Sequence, residues 1–170
     1  MLLLVHPFFL GICHFELQTC KSKVIKTLEK YSIILMKYLN RVEKVIRQIN
    51  KDKYSVVVME IPEHYPMGTC TLLEQKDIDN VVFTETGLGY PRRLDEGLDL
   101  SREVEYYLGG SFAFRCVKDA AVYLKDRRAD FTIVPELLLA APFPRDGDED
   151  GRSLISKQPR VSLDKLLGKQ

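Results

Sequence analysis

The sequence has no tryptophan, only three histidines and only four cysteines. Cys13, Cys20, Cys70 and Cys116 form no Cys-x-x-Cys pair, which reads as reduced thiols of a cytoplasmic protein. His6, Cys13, His14 and Cys20 lie close in sequence, as do His64 and Cys70, but these spacings match no standard zinc pattern, so no metal is expected. Charge of one sign is also missing: 25 Lys and Arg against 24 Asp and Glu leave a net charge of +1. No global attraction to nucleic acid or an anionic membrane follows from that balance. Lys21, Lys23, Lys26 and Lys30 read as a solvated helix face, because no aromatic residues interleave with them as base stacking requires.

Long hydrophobic runs are scarce as well. The opening MLLLVHPFFLGIC is too short to span a bilayer and lacks the basic start and small-residue cleavage site of a signal peptide, so it reads as a buried first strand. The short glycine motifs at 87–89 and 109–111 complete neither the dinucleotide nor the P-loop pattern, and no cofactor is expected. There is no internal repeat.

What remains is ordinary globular material, 45% hydrophobic, enough for one core. Leu2 to Val5 is an unbroken apolar run, the pattern of a parallel strand covered on both faces. From Phe15 to Asn50 apolar residues recur at helical spacing, as one long helix or as two with a break near Tyr31 and Ser32. Tyr54 to Ile61 and Asn80 to Thr84 read as strands, and Glu85 to Ser101 as a long glycine-containing loop. Then follow a strand at 104–108, a helix at 112–127, a strand at 130–134 and a last helical turn or two from Pro135 to Ala141. The breaker-rich acidic run from Pro142 predicts that residues 142–170 are a flexible or loosely docked tail behind a single domain at 1–141, with a short helix near its end that docks on a partner chain.

Strands alternating with helices predict an α/β fold: a three-layer sandwich with a mostly parallel sheet of about five strands, Rossmann-like in layout. In such sheets the ligand crevice lies beyond the carboxyl ends of the strands. That rule puts His6, Glu60 with His64 nearby, Glu85, Gly110, Ser111 and Glu136 around one cleft that would take a small-molecule ligand. Cys116 falls on the apolar face of its helix with Ala113, Val117, Ala120 and Leu124, as a core cysteine does. A thiol near a helix N-terminus is also placed to act as a nucleophile.

The segment GSFAFRCVKDAAVYLKDRRADFTIVPE resembles the isochorismatase-like cysteine hydrolases, whose nucleophile follows a strand-end glycine as G-x5-C-V; Gly110, Cys116 and Val117 match. The resemblance implies hydrolysis of a small amide or ester through Cys116, and a homo-oligomer whose interface is the exposed apolar part of the long helix. It also implies an aspartate after the first strand and a lysine at the third; His6 and Glu85 stand at those places instead. Two readings follow. In one, Cys116, His6 and Glu85 form a rearranged triad, with Arg115 and Cys116 supplying oxyanion N–H donors. In the other, the fold is kept by a non-catalytic ligand-binding or assembly domain.

Overall fold

The computed structural model describes residues 1–8, 25–60, 77–84, 104–141 and 145–169, and for 25–30 the backbone alone. Five strands, β1 (Leu2–Val5), β2 (Val56–Glu60), β3 (Asn80–Phe83), β4 (Tyr106–Ser111) and β5 (Phe131–Leu139), form one parallel sheet in the order β3-β2-β1-β4-β5. Every residue of β1 and β2 is buried, as the uninterrupted apolar runs require. Their side chains alternate between two cores. Leu2, Leu4, Val56 and Val58 pack against helix α1 (Ile25–Gln48), while Leu3, Val5, Val57 and Met59 pack against helix α2 (Cys116–Asp126).

The long amphipathic stripe forms one helix without a break at Tyr31 and Ser32 over the described range. Tyr31, Leu35, Tyr38, Leu39, Val42, Val45 and Ile46 face the sheet, each contributing roughly 1.5–3 kcal/mol of apolar burial, and this is what holds the helix down. Among the described residues no helix is long and apolar enough to cross a membrane.

Three expected boundaries are corrected. The fourth strand runs to Ser111, through two glycines read as a turn, because β1 and β5 approach so closely that only glycine fits there. As a result the following helix starts at Cys116 and not at Phe112. The fifth strand continues through Pro135 to Leu139, where a helical turn was expected. Proline is tolerated because β5 is the edge of the sheet, so the missing N–H costs no ladder bond on that side.

Residues expected as a flexible or loosely docked tail contain two helices, α3 (Asp148–Ser156) and α4 (Leu163–Leu166). Ile155 of α3 joins the α2-side core, whereas Leu163 and Leu166 of α4 join the α1-side core. Between them the chain crosses the edge of β5: Ile133 N–H donates to Pro159 O at 2.8 Å and Val161 N–H to Ile133 O at 3.0 Å. The C-terminal arm thus straddles the edge strand and docks on its own chain, where a partner chain was expected.

Candidate functional site

The chain runs from β1 outward to β2 and β3, then returns to lay β4 on the other side of β1. The crevice where the order reverses lies between the carboxyl ends of β1 and β4, the usual ligand position in open α/β sheets. Both ends carry strained backbone there, with His6 at φ 44° and Phe112 at φ 52°. A non-glycine residue in that region costs of order 1 kcal/mol and persists only where its surroundings hold it.

Those surroundings are polar. The buried polar residues of the described chain are His6, Glu60, Thr84 and Ser111, each 0% exposed, and each stands at the carboxyl end of a different neighbouring strand. His6 N–H donates to Met59 O at 2.7 Å, and Ser111 Oγ donates to His6 O. His6 Nε2 lies 2.6 Å from Thr84 Oγ1, and Thr84 donates to Glu60 O through N–H at 3.0 Å and Oγ1 at 3.4 Å. With its hydroxyl proton directed at Glu60 O, Thr84 accepts from Nε2–H of His6, which in the neutral ring leaves Nδ1 as the acceptor nitrogen. The network ties the ends of β1, β2, β3 and β4 together. His6 and Glu60 stand at the strand ends where the sequence put them, and Ser111, read as lying past a strand that stops at 108, is the last residue of β4; Thr84 was missed, since one threonine closing a β-branched run carries no signal of its own.

Cys116 is the first residue of α2, nearer the helix N-terminus than expected, and its side chain is 5% exposed within the α2-side core. Burial pushes the thiol up to about 12, and the Asp119 carboxylate one turn along acts in the same direction; a backbone hydrogen bond and Arg115 oppose them without prevailing. The helix N-terminus is therefore outweighed by desolvation. Tyr38 on α1 is also buried, and burial, then Glu60 and Tyr31, hold its hydroxyl protonated. Glu60 acts electrostatically on both Tyr38 and Cys116.

Gly110 is a packing glycine, at φ 145° with its α-carbon against β1. Arg115, expected among the ligand-binding residues, forms a two-pronged ion pair with the C-terminal arm: Nε to Asp148 Oδ1 at 2.7 Å and Nη2 to Asp148 Oδ2 at 2.9 Å. Glu85 and His64 lie outside the described residues, as do Cys13, His14, Cys20 and Cys70. Among the described residues no group of three His, Cys, Asp or Glu is placed to hold a metal ion.

The hydrogen bonds from Arg115, with Arg145 N–H and charge adding to them, hold the Asp148 carboxyl below the usual range. A lowered value means the pair's contribution is present above the unfolded value near ~4 and is lost as pH falls through the folded value. Asp148→Asn is expected to speed amide exchange of the arm, residues 148–161, by roughly five- to tenfold while leaving the β1 and β2 amides unchanged. Equal exchange in the arm of both proteins would show the pair idle.

No protein-family model, curated protein or solved structure matches the chain.

Proposed function

We propose that this chain is a non-catalytic assembly domain that keeps an isochorismatase-like, Rossmann-like α/β fold. The strand-end polar network then serves as an internal brace, and the outer face of α1 as the contact surface for a second copy. The observation that carries the non-catalytic reading is the state of Cys116, buried at 5% exposure and held as the thiol. A nucleophilic cysteine needs a thiolate and a path to it. The neighbouring polar groups are engaged with one another: His6 Nε2 with Thr84, Ser111 Oγ with the His6 carbonyl, and Arg115 with Asp148.

The contact surface lies on α1. Ile33 and Met36, 62% and 54% exposed, lie on the side of the helix opposite its buried stripe, and Ile34, 55% exposed, flanks that stripe. Two large apolar side chains three residues apart on one outer face favour a protein contact more than singly scattered ones do. Sedimentation at micromolar concentration is expected to give a dimer or larger species, and Ile33→Glu with Met36→Lys to give a folded monomer whose melting temperature no longer depends on protein concentration. A monomeric parent protein would end the assembly reading.

A second reading is favoured by the position of Cys116, at the first turn of α2 and six residues after Gly110. In it the chain is a cysteine-dependent hydrolase of a small amide or ester. Cys116 attacks the carbonyl carbon as His6 takes the thiol proton through Nδ1, with Thr84 orienting the ring through Nε2 in the role expected of Glu85. N–H groups around Arg115 and Cys116 receive the oxyanion, the amine or alcohol leaves with that proton, and water then cleaves the thioester to free the acid and the thiol. The reactivity of Cys116 separates the two.

A further inference from the structure

A second feature is independent of the strand-end network and of either functional reading. On the α2-side face, beside edge strand β5, lies a recess of about 250 Å³ lined by Phe114, Ile133, Leu138 and Ile155. Pro135 and the exposed Ser156, Arg152 and Arg160 complete the lining. Both arginines make contacts that, among the described residues, leave their charge without an acidic partner. The Arg152 guanidinium lies 4.6 Å from the Phe114 ring centroid, and Arg160 Nη2 donates to Ser156 O at 3.4 Å. Among the described residues neither makes an ion pair, although Arg115, close in the fold, is fully engaged by Asp148.

Apolar walls beside two guanidinium groups without an acidic partner among the described residues define one kind of ligand. The walls gain from covering a hydrocarbon body, and a guanidinium offers a planar fork of donors that matches a carboxylate. We propose that this recess binds a small carboxylic acid with an apolar body, its hydrocarbon against Phe114, Ile133, Leu138 and Ile155 and its carboxylate between Arg152 and Arg160. A free phosphate has no body for the walls, and an uncharged alcohol leaves the arginines unpaired. Phe114 belongs to the turn that leads into Cys116, and a β-carbon on Gly151 of α3 would lie 2.0 Å from the Phe114 carbonyl oxygen. A ligand touching Phe114 and Ile155 at once therefore also fastens α3 to that turn.

The test titrates benzoate and hexanoate into the whole protein, with benzyl alcohol and inorganic phosphate as controls, followed by amide NMR shifts. At least one of the two acids is expected to saturate with a dissociation constant of about 1 mM or below, the range for so few heavy atoms. The shifts should fall on residues 112–116, 133–138 and 151–160. Arg152→Gln and Arg160→Gln should each weaken binding roughly three- to tenfold, and Arg152→Lys less, because it keeps the charge but loses the fork. Both arginines are exposed, so unchanged melting curves will verify that the variants fold. The proposal is overturned if neither acid saturates, if benzyl alcohol or phosphate binds as tightly as the acids, or if both Gln variants bind like the parent.

Discussion

Gly110→Ala is expected to remove about 4 kcal/mol of stability, enough to lower the melting temperature by roughly 8–16 °C in a domain of this size. Two costs combine. A β-carbon at this position would lie 2.1 Å from the carbonyl oxygen of Val5 and 2.8 Å from its nitrogen, so the clash is with the backbone of the central strand and cannot be relieved by a rotamer change. Overpacking of a fixed core costs typically about 1–3 kcal/mol, and more where backbone must move. The residue also sits at φ 145°, where a side chain adds roughly 1–3 kcal/mol of strain. The clash falls on the pairing of β1 with β4, the join between the two halves of the sheet. Gly109→Ala is the comparison: its β-carbon would meet Leu137 Cβ at 2.7 Å, at a position without positive φ, and its effect should be smaller. Thermal melts of the two variants decide the matter. A Gly110→Ala protein melting within about 3 °C of the parent would mean that β1 and β4 can separate at little cost, against the overpacking argument.

The same glycine explains what could and could not be read from the chain. Leu2 to Val5 and Val56 to Met59 were legible because strands buried on both faces must be apolar at every position, and α1 because its buried residues repeat every three or four. Gly109 and Gly110 carry the opposite local signal, and only the approach of Val5 and Leu137, distant in sequence, turns a turn-like pair into a strand. Pro135 misled for a related reason: whether a proline stops a strand depends on whether its strand is an edge, which is decided by the sheet order. In the arm, Ile155, Leu163 and Leu166 are too few for a clear period, and the Arg115–Asp148 pair joins residues 33 positions apart. The strand-end residues His6 and Glu60 followed directly from strand ends and the parallel topology, whereas Ser111 ends β4 only because the strand runs on through the two glycines. What the thiol could do did not, because burial and the Asp119 charge act through space.

Cys116 should therefore react with iodoacetamide in the folded protein about three orders of magnitude more slowly at pH 8 than in the unfolded chain. A thiol pushed up to about 12 is roughly one part in ten thousand thiolate at that pH, against about a quarter for a free thiol near 8.5, before any loss of access is counted. The labelling rate should keep rising with pH through 10, with no plateau. The same shift has a consequence for stability, and its sign is fixed. Because the folded value is raised, the contribution is fully present below the unfolded value near ~8.5 and is lost as pH rises toward the folded one. Above pH ~9 this one group should lower unfolding free energy by roughly 1 kcal/mol per pH unit. Cys116→Ala removes that slope, so urea midpoints of parent and variant should converge between pH ~9 and ~10. A labelling midpoint below that of a free thiol would reverse the argument. It would mean that the helix N-terminus outweighs burial, that a thiolate stands at the strand-end crevice, and that the hydrolase reading replaces assembly.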